Sequence, residues 1–247
     1  MCEWCGCGDP DAPPKHAHGE GSSHSHAHGA ESRTVRIGRE ILAENKTHAE
    51  QNRKYFRRER IFSVNLMSAP GSGKTTLLKS TIRSLPKDIS VFVLTGDQET
   101  SLDAESIREA GGRVHQINTH SMCHLDAHLV AHGLEALSCK GPALLFIENI
   151  GNLVCPALFD LGEARRVALL STPEGEDKPL KYPGLFRIAD TVVLSKMDLA
   201  GVIGFDREAC ERSARSVNPQ VEILALSART GEGMEEWHRW LEKRLHE

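Results

Sequence analysis

The sequence lacks any long apolar run, an apolar leader and a strong excess of charge. No stretch of its 247 residues reaches the roughly 20 apolar residues that a helix needs to span a bilayer. The first residues contain no apolar segment of the kind that a secretory or lipoprotein signal requires. The net charge is only -4, so no broad basic surface for nucleic acid is indicated. We therefore expect a cytoplasmic protein with no nucleic-acid or membrane partner and a sizeable core.

The cysteines are neither even in number nor evenly spaced. They stand at positions 2, 5, 7, 123, 139, 155 and 210. In a reducing compartment this pattern favours thiols or metal ligands over a disulfide framework. Cys139 and Cys210 have no metal-ligating neighbour, so we expect them to be small buried apolar residues.

The first 60 residues differ in composition from the rest of the chain. Residues 1–30 are rich in Gly, Ser, His and Cys with almost no aliphatic residues, which predicts a disordered metal-binding tail. Thiolates at Cys2, Cys5 and Cys7 could form an open chelate. A zinc knuckle, a redox pair or a chance cluster are the alternatives, although a closed zinc site needs four ligands. Residues 31–60 carry an apolar stripe among charges, which predicts a helical arm.

From residue 61 the chain alternates between short apolar runs and helical stretches. The runs predict strands at 61–67, 91–94, 143–148, 167–171, 191–195 and 221–226. The stretches between them predict helices at 74–85, 101–110, 122–137, 206–217 and 233–246. Strands that are apolar on both faces are typical of a parallel sheet covered by helices.

A phosphate-binding loop is predicted at SAPGSGKTT (68–76), between the first strand and the first helix of this region. Its glycines let backbone N–H groups converge on phosphates, Lys74 would reach the β- and γ-phosphates, and Thr75 would hold Mg²⁺. Ser68 stands where the pattern has glycine, and an ordinary Gly-rich turn is the alternative. The residues predicted to bind the nucleotide here are Gly71, Ser72, Gly73, Lys74, Thr75 and Thr76. Residues 61–247 are accordingly predicted to form an α/β P-loop NTPase domain, a three-layer sandwich with a mostly parallel sheet.

Two acidic residues end predicted strands on the side where this loop lies. Asp97 follows VFVLTG and Glu148 ends LLFIE. Ligands of open parallel sheets bind outside the carboxyl ends of the strands, and Mg²⁺ prefers carboxylate oxygens. We predict that Asp97 and Glu148 contact Mg²⁺ or its waters and take part in catalysis; helix capping is the alternative.

The base is predicted to be guanine. SKMD (195–198) and SARTG (227–231) each follow a predicted strand, in the order of the guanine-reading elements of GTPases. Asp198 could accept bonds from N1–H and the N2 amine of guanine, whereas adenine would leave the carboxylate unpaired. Lys196 would lie along the base, and Ser227 and Ala228 would complete the site. Ser195 replaces the usual Asn, which we expect to affect affinity more than base identity.

A second metal constellation is predicted from Cys123, His124 and Cys155, whose thiolates and imidazole suit Zn²⁺ or Ni²⁺. Cys155 follows E-N-I-G (148–151), which looks like a switch element that senses the γ-phosphate, so metal and nucleotide could bias one element. Histidines 120, 124, 128 and 132 repeat every fourth residue of a predicted helix. We interpret the last two as part of a polar helix face.

Taken together, these motifs resemble the HypB family, the GTPases that incorporate nickel into hydrogenases. The resemblance rests on CxxCGC, SAPGSGKTTLL, GDQET, CHLDA, FIENIGNLVCP, STPEGEDKPLKYP and SKMD, and it covers essentially the whole chain. It implies a GTP-favoured homodimer that delivers nickel to [NiFe]-hydrogenase large-subunit precursors with a HypA-type partner. It also implies a tight nickel site at Cys2, Cys5 and Cys7, a nickel or zinc site at Cys123, His124 and Cys155, and a histidine reservoir.

Two other functions remain open from the sequence. A nickel or zinc storage protein with a regulatory nucleotide domain would fit the tail equally well. An ATP-dependent kinase would fit the phosphate loop, although SKMD and SARTG argue against it. No catalytic base or arginine finger is evident; Lys178 and Lys181 are candidates for stabilising charge, or simply members of a solvated loop.

Overall fold

The structure, a computed structural model, describes residues 33–97, 102–119 and 122–245. The predicted ligands Cys2, Cys5 and Cys7 therefore lie outside the described residues. Seven strands form one parallel sheet in the order β3-β2-β4-β1-β5-β6-β7. The strands are β1 (Ile61–Ser68), β2 (Ser90–Asp97), β3 (Arg113–Asn118), β4 (Ala143–Glu148), β5 (Arg165–Ser171), β6 (Thr191–Ser195) and β7 (Glu222–Ala225). The helices are α1 (Arg33–Glu59), α2 (Lys74–Ser84), α3 (Leu102–Glu109), α4 (Ala127–Leu137), α5 (Lys178–Lys181), α6 (Pro183–Ile188), α7 (Ala200–Ile203), α8 (Arg207–Val217) and α9 (Met234–Leu245).

Helices cover both faces of the sheet, and the predicted α/β sandwich is confirmed. All six residues of β4 are buried. Phe146 packs in a core cluster with residues of α2, α3 and α9, while its neighbour Leu145 packs in one with residues of α1 and α4. A third cluster joins α6 and α8 to the sheet. Because every central strand is buried on both faces, its apolar run is continuous rather than alternating.

The predicted helical arm, α1, packs into the body of the protein. Ala49 and Phe56 are buried, and two buried amides connect the helix to distant segments. Asn45 Oδ1 accepts a hydrogen bond from the backbone N–H of Ala127, at 2.9 Å. Asn52 Nδ2 donates to the carbonyls of Ala127 and Leu161, at 2.8 and 3.0 Å. These bonds hold α1 in a defined position against the start of α4.

Some elements differ from the sequence prediction. β3 was not predicted, because this edge strand has just one buried residue on each face, Val114 and Ile117, and its other residues are polar. The helices α5, α6 and α7 were also missed, since helices this short give no periodic signal. α4 begins at Ala127 rather than 122, because Asp126 accepts a hydrogen bond from the N–H of Leu129 and so caps the helix.

None of the described helices is long and apolar enough to cross a bilayer. Cys139 and Cys210 are fully buried, in two different core clusters. Burial raises the pKa of each thiol to about 12. Both cysteines therefore pack as apolar residues, as expected.

Candidate functional site

The predicted phosphate loop connects the end of β1 to the start of α2. Gly71 and Gly73 adopt positive φ angles of 74° and 98°, a conformation that glycine reaches without strain. α2 begins at Lys74, so its first backbone N–H groups point into the loop. A cavity of about 610 Å³ lies against the loop and extends to Thr95, Asp103 and Glu148. The cavity thus lies outside the carboxyl ends of β1, β2 and β4, where ligands of parallel sheets bind.

Lys74 is buried at the base of this cavity. Its Nζ donates a hydrogen bond to Ser68 Oγ at 2.9 Å. Ser68, which stands where the usual pattern has glycine, is therefore the hydrogen-bond acceptor of the loop lysine. Burial lowers the pKa of Lys74, and the negative charges of Glu148, Asp103 and Glu174 oppose that shift. Lys74 therefore supplies positive charge at the base of the cavity, within reach of the negative charges of three carboxylates.

The Thr75 and Glu148 side chains form a donor set that fits Mg²⁺. Thr75 Oγ1 donates to Glu148 Oε1 at 2.8 Å. Glu148 Oε2 is buried and has no hydrogen-bond partner among the described residues. Burial raises the pKa of Glu148 to about 7, against the opposing effects of the Lys74 charge and the Thr75 hydrogen bond. A hard cation beside this carboxylate would satisfy the orphaned oxygen and favour the charged form.

Two further acids relate to the same cavity. Asp97 is the last residue of β2, next to β4 in the sheet, but its side chain lies outside what the structure describes. Asp103, in the first turn of α3, lines the cavity directly. Sequence reasoning missed Asp103, since an acidic residue in the first turn of a helix is common and carries little functional signal.

A second cavity of about 310 Å³ adjoins the first. The two share Gly73, Thr76 and Lys196 in their walls, so they form one elongated cleft. Both predicted base-reading elements and their immediate neighbours line the second cavity: Ser195, Lys196, Asp198, Leu199, Leu226, Ser227, Ala228 and Arg229. The cleft therefore has the phosphate loop at one end and the predicted base site at the other.

The base-reading residues are held by bonds between the two elements. Asp198 Oδ1 accepts a hydrogen bond from Ser227 Oγ at 2.7 Å. Lys196 has a positive φ of 59°, and its Nζ donates to the carbonyl of Gly71 at 2.7 Å, so its chain spans the cleft. Ser195 Oγ donates to the carbonyl of Ser72 at 2.7 Å. The short serine thus connects its strand to the phosphate loop.

Glu174 is a bracing residue that sequence reasoning missed. Its Oε1 accepts hydrogen bonds from Ser72 Oγ at 2.7 Å and from the backbone N–H and hydroxyl of Ser171 at 2.9 and 2.8 Å. Thr172, which follows Ser171, donates a hydrogen bond from its hydroxyl to the carbonyl of Lys196 at 3.0 Å. The STPE turn after β5 therefore joins both ends of the cleft; its Ser-x-x-Glu spacing was a readable capping signal.

Lys178 and Lys181, the candidate charge stabilisers, do not line either cavity. Lys178 Nζ lies 3.8 Å from Glu174 Oε2, and the exposed Lys181 pairs with Asp177 at 2.6 Å. Both are i,i+4 ion pairs; the one between Lys181 and Asp177 is at the surface, whereas the one between Lys178 and Glu174 is largely buried.

The predicted metal ligands Cys123, His124 and Cys155 meet in space. Their ligand atoms all lie within 4.8 Å of one another, and within the described residues they form the one such group of three. The Cys123 and Cys155 sulfurs are 3.0 Å apart, and the Cys123 sulfur is 3.8 Å from His124 Nδ1. Two thiols and an imidazole in this arrangement suit Ni²⁺ or Zn²⁺.

His124 is 9% exposed and stacks on Phe159, with ring centroids 3.9 Å apart. Burial lowers the pKa of His124, although the charge of Asp126 opposes that shift. The imidazole is therefore kept neutral near pH 7, the form in which it coordinates metal.

The segment 148–155 joins the nucleotide cleft to the metal ligands. A Cβ on Gly151 would lie 2.8 Å from Pro70 Cα, so this segment lies directly against the phosphate loop. Asn149 Oδ1 accepts from the N–H of Leu125, at 3.1 Å, next to His124. Further along, Asn152 Nδ2 donates to the carbonyl of Cys123 at 3.3 Å. These contacts connect the phosphate end of the segment to Cys123 as well as to Cys155.

The fourfold histidine repeat is not one helical stripe, which corrects the sequence interpretation. His124 precedes α4, His120 lies outside the described residues, and only His128 and His132 are on the helix. The repeat was misread because the cap at Asp126, rather than the apolar pattern, sets where the helix starts.

Comparison with known proteins extends these observations. A family model described as the CobW/HypB/UreG nucleotide-binding domain matches residues 63–225. Hydrogenase maturation factor HypB of Rhizobium leguminosarum bv. viciae is 51% identical over 213 residues, covering 86% of this chain and 71% of that protein. A crystal structure of hydrogenase maturation factor HypB from Archaeoglobus fulgidus has a TM-score of 0.77 at 41% identity, covering 82% of this chain and 99% of that one. A crystal structure of HypB from Helicobacter pylori in complex with nickel has a TM-score of 0.77 at 35% identity, and the match covers 82% of this chain and 95% of that one.

Proposed function

The chain belongs to the HypB family of hydrogenase maturation factors, and we propose that it is a GTP-hydrolysing carrier that helps insert nickel into [NiFe]-hydrogenase precursors. The observation that carries this proposal is the segment 148–155. It lines the phosphate cavity at one end and supplies the thiol of Cys155 at the other. Nucleotide and metal therefore act on the same piece of backbone.

GTP would occupy the elongated cleft, with its base between Lys196 and Asp198 and its phosphates on the loop at Gly71–Thr76. Lys74 would leave Ser68 and bind the phosphates, which neutralises charge at the base of the cavity. Mg²⁺, held by Thr75 with Glu148 or Asp97, would supply positive charge that offsets the transferring phosphoryl group. No side chain in the described part of the cavity is an evident arginine finger, so we expect slow intrinsic hydrolysis.

Nickel is the proposed cargo, held by Cys123, His124 and Cys155. The γ-phosphate would order the segment at Gly151, and the shift of Asn152 would change the distance between the two sulfurs. Val154 and Leu158 flank Cys155 and are about half exposed. Such apolar residues beside a metal site support a GTP-favoured homodimer at this face, with a HypA-type partner as nickel donor or acceptor.

Nickel titration of the full chain tests the coupling. The titration compares nickel affinity with and without a non-hydrolysable GTP analogue, in a background where Cys2, Cys5 and Cys7 are serine. We expect the analogue to change nickel affinity in this background and to have no effect after Cys155→Ala. A nickel affinity indifferent to the analogue would support a storage protein instead.

Turnover is tested separately from coupling. Lys74→Ala should abolish measurable GTP hydrolysis, since it removes the cation at the base of the phosphate cavity. A variant that hydrolyses GTP at the parent rate would rule out the phosphate-loop assignment. Competition of labelled GTP by excess ATP adds a check on the base: effective competition would point to the kinase alternative.

A further inference from the structure

A cluster of three histidines lies on the surface formed by α1 and α4, apart from the ligands described above. His128 and His132 are one turn apart on α4, with both rings exposed. Their Nε2 atoms are 3.2 Å apart. His48 comes from α1, and the centroid of its ring is 4.8 Å from that of His128.

The two Nε2 atoms are at hydrogen-bond distance, and this separation also matches the one that a shared metal ion requires. With metal–nitrogen bonds of about 2.0–2.1 Å, two imidazoles on one ion are about 2.9 Å apart at a right angle and about 3.3 Å apart at the tetrahedral angle. The observed 3.2 Å falls between these values. An ion could therefore enter between the rings with little movement of either one.

The third histidine is held in place by the packing of α1. Asn45 and Asn52 bond to both backbone groups of Ala127, and His48 lies between these two asparagines in the sequence. The position of His48 relative to His128 is thus set before any ion binds. A rotation of the His48 side chain would bring a ring nitrogen to an ion held by the other two.

The surroundings of the cluster favour a cation. His48 and His128 line a cavity of about 150 Å³ together with the carboxylates of Glu44 and Asp126. Glu135 Oε2 lies 3.8 Å from His132 Nδ1. The same cavity is bounded by Phe159, whose ring stacks on His124 of the Cys123/His124/Cys155 group.

We propose that His48, His128 and His132 form an additional metal site for a late divalent transition-metal ion such as Ni²⁺ or Zn²⁺. The ligands are three imidazoles with no thiolate, and the site is open to solvent. Binding here is consequently weaker and faster to exchange than at the two thiols and one imidazole. The ion would be held one aromatic ring away from His124, in a position to supply that site. The existence of the site does not depend on GTP chemistry.

Equilibrium dialysis against Ni²⁺ tests the site in the full chain. The parent carries serine in place of the five cysteines at positions 2, 5, 7, 123 and 155, which removes thiolate binding. His128→Gln/His132→Gln should bind one equivalent of Ni²⁺ less than this parent, because both chelating nitrogens are lost. His115→Gln, which removes a histidine of β3 that is not part of the cluster, should bind as much as the parent. An unchanged equivalence in the double variant would overturn the proposal.

Two further measurements separate ligand loss from misfolding. Both chelating histidines are exposed, so the far-ultraviolet circular dichroism of the double variant should match that of the parent. Ring signals of ¹⁵N-labelled histidines should broaden with paramagnetic Ni²⁺ at His48, His128 and His132, whereas that of His115 should not. His48→Gln should lower the Ni²⁺ affinity. Signals of the cluster that stay sharp, or an affinity unaffected by His48→Gln, would contradict the three-imidazole site.

Discussion

Replacing Gly151 by alanine tests whether the segment 148–155 is coupled to the phosphate loop. A Cβ at this position would lie 2.8 Å from Pro70 Cα and 2.9 Å from Pro70 N. Carbon atoms in ordinary contact are about 3.5–4.0 Å apart, so the backbone must separate by about 0.7 Å. Overpacking of this kind typically lowers the free energy of unfolding by about 1–3 kcal/mol. The cost is not easily relieved here, because the neighbouring atoms are backbone rather than a flexible side chain.

The expected result is a lower melting temperature and a weakened response of nickel binding to nucleotide. For a chain of this size, a loss of about 1–3 kcal/mol corresponds to about 2–12 °C in melting temperature. Affinity for a fluorescent GTP analogue should also fall, since the displaced segment lines the phosphate cavity. The nickel titration described above should show a smaller difference between the nucleotide-bound and nucleotide-free states.

The matched control is Gly184→Ala in α6. No atom lies within 4 Å of a Cβ built at Gly184, and alanine favours the helix over glycine by about 0.5–1 kcal/mol. This variant should be as stable as the parent or slightly more stable, with unchanged nucleotide affinity. If Gly151→Ala behaved like Gly184→Ala in both assays, the close contact between the segment and the phosphate loop would be refuted.

Three further substitutions test other parts of the site. Because the folded pKa of Glu148 is about 7 against an ordinary 4.5, the stability of the ligand-free protein should fall as pH rises from about 4.5 to 7. Glu148→Gln should remove up to about 3 kcal/mol of that dependence, measured by urea unfolding at several pH values; an identical pH profile in the variant would contradict it. Asp198→Asn should reduce the preference for GTP over ATP by about tenfold or more in competition binding, because a charged acceptor for the guanine edge is lost, and a preserved preference would exclude Asp198 as the base reader. Asn52→Ala should lower the free energy of unfolding by about 1–3 kcal/mol, since it removes the amide that donates to the buried carbonyls of Ala127 and Leu161, and no change in urea midpoint would show that this amide does not anchor α1.

Most strands were predicted well, because a strand that is buried on both faces is a continuous run of apolar residues in the sequence. β4 and β6 were placed at their observed bounds, since each is a continuous apolar run between turn residues. β3 was missed for the opposite reason: it lies at the edge of the sheet, and its polar residues read as a loop. Prediction thus succeeded wherever a strand carries an apolar run, including the edge strand β7, and failed at the polar edge strand β3.

Local motifs indicated which residues are candidates for the chemistry of the site, but they did not indicate the residues that brace it. Lys74 and Asp198 were identifiable because each belongs to a short pattern with a fixed spacing. Glu174 and Asp103 act from segments distant in sequence, and their roles depend on where the STPE turn and α3 pack. Such long-range contacts leave no periodic signal in a single sequence.

The sequence alone determined that this chain has a phosphate loop at a strand-to-helix junction, a guanine-reading pair of loops, and thiols and imidazoles of the kind that bind nickel or zinc. These features depend on short segments whose conformation follows from glycine placement and apolar runs. Only the tertiary structure decided that the segment 148–155 also contacts Cys123 through Asn152, and that α1 brings His48 to the two histidines of α4. The physical reason is that these contacts join residues that are far apart along the chain, and the packing of helices on the sheet determines which of them come together.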